Sequence, residues 1–223
     1  MENKRIITKP PNIFQLSDFH GAYEQWRRLK GLHVVESTDD LAIKLSLEVT
    51  ELNDALKRFQ DEPNPLEVAC EAADIFCFGM TTAYNIAGLA LEDILDINGL
   101  KIGSFEELEK YVRLLNSSHR ILSPIQVMPQ ISDTLESLTT GLRQSYNLHP
   151  ILRRSSDLII LSSMVIQSLE LPIGPIINGK LHRNAVKYPK NGQSMKDQKD
   201  GWNSNLDEQF LLLHLGEIDQ ITL

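Results

Sequence analysis

Residues 66–87 read LEVACEAADIFCFGMTTAYNIA, and this stretch decides the fold. It contains no proline and one internal glycine, Gly79, and from Ile75 to Ile86 it is nearly all apolar. Asp61-Glu62-Pro63-Asn64-Pro65 breaks the chain before it and Gly88 stops it afterwards. A long run bounded in this way predicts a helix, and a helix apolar on most sides belongs at the centre of a bundle.

Working outward, Leu41, Leu45, Leu52, Leu56 and Phe59 recur at spacings of three, four and seven, so Leu41 to Phe59 is expected to be an amphipathic helix with N-cap candidates in Ser37-Thr38-Asp39-Asp40. Phe14 to Lys30, with Phe19, Tyr23 and Trp26, predicts a helix stopped by Gly31. A short helix from Leu91 to Ile97 ends at Asn98-Gly99. Downstream, Ser104 and Glu107 form a capping box for a helix to Leu115. Pro124 and Pro129 are read as breaks, Ile131 to Tyr146 as a helix, Pro150 as an interruption and Ser155 to Leu169 as a second apolar helix. Pro172-Ile173-Gly174-Pro175 breaks again before a helix from Ile176 to Tyr188. Lys190 to Asn205 reads as a polar loop and Leu206 to Asp219 as a terminal amphipathic helix. No strand alternation competes, so the expected fold is all-α, an antiparallel helical bundle.

The two sets of helices match in order. Leu45-Ser46 corresponds to Ile131-Ser132, and Leu52, Leu56 and Lys57 to Leu138, Leu142 and Arg143. Asp74-Ile75 corresponds to Asp157-Leu158, and Ile97-Asn98-Gly99 to Ile177-Asn178-Gly179. This pattern predicts a pseudo-two-fold tandem repeat. The units are 12–103, then 104–189, then a closure loop and C-terminal helix over 190–223.

Composition narrows the functional classes. The chain has 223 residues, 42% of them apolar, which suffices for a large core. Acidic residues number 30 against 22 basic ones, a net charge of −8, which disfavours duplex nucleic acid as a partner. No run approaches the roughly 20 apolar residues of a membrane helix, and residues 1–14 lack the apolar core of a signal peptide. The expectation is a cytoplasmic protein that engages neither membrane nor nucleic acid. Cys70 and Cys77 are about two helical turns apart, too far to pair, and no Cys/His cluster suggests zinc.

Chemistry concentrates in two acidic pairs. Glu48-Val-Thr-Glu51 and Glu71-Ala-Ala-Asp74 each place two carboxylates on one helix face, and the short linker makes their helices neighbours. Leu45, Leu47, Val49 and Leu52 flank the first pair, and Ala69, Ala72, Ala73 and Ile75 the second, so both adjoin apolar surface. Four converging anions repel one another unless a hard cation joins them, and Mg²⁺ takes oxygen ligands. None of the six histidines follows a glutamate by three, so the Glu-x-x-His of a di-iron bundle is missing.

Glu48-x-x-Glu51 followed by Glu71-x-x-Asp74 at the head of an apolar helix resembles the MazG-like all-α nucleoside triphosphate pyrophosphohydrolases, a superfamily that includes dimeric dUTPase-like and phosphoribosyl-ATP pyrophosphohydrolase-like members. Lys180-Leu-His-Arg-Asn184-Ala-Val-Lys187-Tyr188-Pro189 is similar to the closing helix end of that family. The loop with Lys196, Lys199, Gly201 and Trp202 resembles its lysine-bearing closure. The resemblance implies Mg²⁺-dependent hydrolysis of a (deoxy)nucleoside triphosphate to monophosphate and pyrophosphate, with Mn²⁺ as a substitute and room for a homodimer. It makes Glu48, Glu51, Glu71 and Asp74 the metal ligands. One of these carboxylates is expected to take the proton of the attacking water, and Glu48 is the preferred one.

Lys180, Asn184 and Lys187 share a helix stripe suited to phosphates, with Lys196 and Lys199 closing over them and Trp26 beside the base. Arg183 lies off that stripe. The second unit departs from the pattern, since Thr134, Ser137 and Arg154 stand where the first has Glu48, Glu51 and Glu71, and only Asp157 persists. The competing expectation is a catalytically silent nucleotide-binding or regulatory helical protein.

Overall fold

The computed structural model describes residues 6–30, 37–144, 147–187 and 204–222. Along them run β1 (Ile6–Thr8), α1 (Leu16–Leu29), α2 (Thr38–Asp61), α3 (Pro65–Ala87), α4 (Leu91–Asp96), α5 (Phe105–His119), a 3₁₀ turn (Pro124–Gln126), α6 (Met128–Gln144), α7 (Leu148–Ser168), α8 (Ile173–Lys187), α9 (Ser204–Leu215) and β2 (Gln220–Thr222). The fold is an all-α bundle with one minute sheet.

The decisive stretch forms α3. Asn64 caps it by accepting from the Glu67 N–H, Pro65 occupies its first turn, and Gly88 ends it in the left-handed region. Ser37 caps α2 and Ser104 caps α5, each accepting from the N–H three residues on. At the centre α3 packs along α7, where a Cβ on Gly79 would come within 3.0 Å of the Ser155 carbonyl oxygen and 3.1 Å of Ile159 Cγ1. Glycine lets these two backbones approach. On the flanks α2 packs against α3, α6 against α7, and α2 and α6 against each other. One continuous core results, including Leu45, Phe76, Ile131, Leu158 and Ile176.

Each half runs through four helices, α1 to α4 and α5 to α8, although α4 has 6 residues and α8 has 15. The chain entering α1 and the chain entering α5 also bond reciprocally: Leu16 N–H donates to the Gly103 carbonyl at 2.9 Å, and Phe105 N–H to the Phe14 carbonyl at 3.0 Å.

Two expectations need correction. Pro129, Pro150 and Pro175 do not break the chain, because each sits in the first turn of α6, α7 or α8, where the missing N–H has no helical partner to lose. The helices therefore begin at Met128, Leu148 and Ile173. Strands do occur: β1 and β2 pair antiparallel with Ile7 opposite Ile221, and both side chains pack with Val186, Phe210 and Leu213 in a small second cluster. Among the described residues no single helix is long and apolar enough to cross a membrane.

Candidate metal centre

Glu48, Glu71 and Asp74 converge. Each offers a carboxylate oxygen, and the three oxygens lie within 4.8 Å of one another at half-buried positions. The local reason is periodicity. Leu45, Val49 and Leu52 bury one face of α2 and carry Glu48 to its flank, while Ala72, Ala73 and Ile75 anchor α3 on either side of Glu71 and Asp74. Glu51 is exposed and lies outside this three-oxygen cluster, although its charge acts on Glu48 and Glu71. The structure thus assembles three of the four expected ligands and leaves the fourth at the rim.

Burial pushes the Glu48 carboxyl up to about 8, and the neighbouring Asp74 pushes the same way, against a partial offset from Lys180. Burial likewise raises Glu71 to about 7, with Lys180 opposing and Asp74 and Glu51 adding to the rise. Such a group of carboxylates holds protons or a cation near neutral pH. Its donors are all carboxylate oxygens on two adjoining helices, a set that fits a hard divalent ion such as Mg²⁺.

Lys180 enters from α8. It is 1% exposed, forms an ion pair with Asp74 and donates to Cys70 Sγ at 3.2 Å. Burial opposes its charge, but Asp74, Cys70 and Glu71 together outweigh it and hold the ammonium protonated far above the usual lysine range. The expectation of a phosphate ligand is therefore corrected: Lys180 is the buried partner of Asp74, a carboxylate of the acidic cluster. Asn184 and Lys187, also buried, continue the α8 stripe, and Asn184 Oδ1 accepts from Arg183 at 2.7 Å.

Arg183 belongs to the site's surroundings after all. It makes a bidentate pair with Asp207 of α9 at 2.6 and 2.7 Å and acts electrostatically on Glu71 and Cys70, while Asp74 helps raise its own pKa. Reading a single α8 stripe missed it, because α9 covers the adjacent face. A Cβ on Gly179 would meet the Phe210 carbonyl oxygen at 3.1 Å, and the glycine was the available sign that a second backbone passes there.

Trp26 lies elsewhere. Its neighbours on α1, Tyr23 and Arg27, bond to Thr81 and Asn85, so it sits level with the second half of α3, about 10–16 Å along the helix axis from Asp74 at ~1.5 Å per residue. Its ring packs on Tyr23, with centroids 5.4 Å apart. Lys196 and Lys199, with the rest of the expected closure loop to Trp202, fall outside the described residues, as do Tyr188 and Pro189.

Comparison with known protein families, with curated proteins and with solved structures finds no match to this chain.

Proposed function

We propose that this chain is a Mg²⁺-dependent pyrophosphohydrolase that converts a (deoxy)nucleoside triphosphate to its monophosphate and pyrophosphate. The observation that carries the reading is the convergence of Glu48, Glu71 and Asp74, with the first two carboxyls raised by burial and mutual repulsion. Glu48, Glu71 and Asp74 would hold the ion, with Mn²⁺ able to replace it. When bound, the ion would neutralise phosphate oxygens and acidify a water.

The chain's own groups account for the rest. Glu48 takes the proton from the attacking water. Lys180 fixes Asp74 and cancels part of the cluster's charge before substrate arrives. Arg183, held by Asp207, keeps a second cation beside the acids. Asn184 and Lys187 extend the polar face of α8 toward the triphosphate, and exposed Glu51 borders the entrance. A pool-cleansing role in the cytoplasm suits this chemistry, since nucleoside triphosphates are found there.

We further read the chain as two fused units, the second having lost its metal ligands while lending α8 to the first. The four helices of each half and the reciprocal bonds at Leu16 and Phe105 support this.

The test is release of pyrophosphate from the common and uracil-containing deoxynucleoside triphosphates, with Mg²⁺ and with EDTA. Pyrophosphate and monophosphate should appear with Mg²⁺ alone. Orthophosphate as the product, or equal turnover in EDTA, would overturn the reading.

A further inference from the structure

A cavity of about 390 Å³ opens between α5, α6, α7 and the end of α4. Thr134 and Asp157 line it, the residues that correspond to Glu48 and Asp74 in the first unit. It is therefore the second unit's counterpart of the metal centre, and its chemistry has been inverted. Arg154 stands in the place of Glu71 and binds Asp157 at 3.0 Å. Asn98 Nδ2 also donates to Asp157 at 3.0 Å. With its charge offset by Arg154 and no second carboxylate among the described residues lining the cavity, Asp157 does not supply a divalent-ion site.

The cavity keeps a cationic mouth and an apolar wall. Arg153 lines it one helical turn from Asp157 and has no ion-pair partner among the described residues. His119 lies at the same opening and is exposed. Tyr111 and Leu115 on α5 and Leu161 and Met164 on α7 add an aromatic and aliphatic lining. The volume falls within the range of small-molecule pockets, about 300–1,000 Å³. A guanidinium with its fork free suits a phosphate, and an aromatic-aliphatic wall suits a planar base.

We propose that this cavity binds a nucleoside monophosphate without metal, as a site separate from the metal centre. A monophosphate fits better than a triphosphate, because one unpaired arginine faces the ligand and no carboxylate set is present to hold the cation a triphosphate brings. The choice of a nucleotide rests on the function proposed above; the cavity, its charge and its independence of metal do not. A monophosphate is also that reaction's product.

The test is calorimetric titration of AMP, GMP, CMP, UMP and inorganic phosphate into the full chain in EDTA. At least one nucleoside monophosphate should bind tenfold or more tightly than inorganic phosphate. Glu71→Gln should leave that affinity unchanged, and Arg153→Ala should weaken it at least tenfold without moving the melting temperature. Failure of every monophosphate to bind at millimolar concentration would overturn the proposal, as would affinity lost in Glu71→Gln and kept in Arg153→Ala. Triphosphate turnover without monophosphate binding in EDTA sinks this inference alone. Binding in EDTA without turnover sinks the hydrolase reading alone.

Discussion

Lys180 on α8 closes an ion pair with Asp74 on α3, and its ammonium is shielded from water on all sides. A buried pair of this kind contributes little net stability, but removing one partner strands the other's charge. Lys180→Met should therefore destabilise the metal-free protein by about 3–5 kcal/mol in urea unfolding. Adding Asp74→Asn to it should recover part of the loss. A single variant as stable as the parent would show that the pair does not form.

The raised carboxyls make stability depend on pH in a stated direction. Glu48 and Glu71 titrate near 8 and 7 in the folded chain, above the ordinary glutamate value of 4.5. The folded state then binds their protons more tightly than the unfolded state does. The stability they contribute is complete below about 4.5 and lost as pH rises through 7 and 8. In EDTA the melting temperature should fall between pH 5 and pH 9. Mg²⁺ should reverse that fall at high pH, because a ligand of the native state stabilises it. A flat profile, or no effect of Mg²⁺ at pH 8, would contradict the electrostatics.

Much of this was legible in the chain and some was not. Residues 66–87 announced the central helix, and the acidic pairs at 48/51 and 71/74 announced the cluster, because helical periodicity is local. Pro129, Pro150 and Pro175 misled, since a proline that ends one helix and a proline that opens the next look alike in sequence. Three-residue strands such as Ile6–Thr8 carry too few side chains to show alternation. The stripe holding Lys180 was legible as a cationic face, but its burial against Asp74 was not, because burial depends on α9 and α3 closing over α8. Arg183 escaped for the same reason.

Gly79 is a packing requirement and not a flexibility device. Its helix is regular, but a Cβ there would press on the Ser155 carbonyl and on Ile159. Gly79→Ala should cost about 1–3 kcal/mol by overpacking, although alanine favours helices, and Gly79→Val more. Thermal melts of the two variants check this. An unchanged or raised melting temperature in Gly79→Ala would mean that α3 and α7 sit further apart.

Glu48→Gln separates charge from shape. It removes one of the mutually repelling carboxyls, so at pH 8 in EDTA the melting temperature should rise. The stabilisation by Mg²⁺ should shrink or vanish. Loss of melting temperature in EDTA would mean that Glu48 serves the fold through a contact and not as a held-back charge.

The central claim is that Glu48, Glu71 and Asp74 form the metal site of a triphosphate-cleaving enzyme. Its most direct test is the initial rate of pyrophosphate release by Glu71→Gln beside the parent, on the best substrate at saturating Mg²⁺, with both proteins shown to be folded. The account predicts a rate in the variant lower by at least a hundredfold, about 2.7 kcal/mol in activation free energy. A variant as fast as the parent would contradict it.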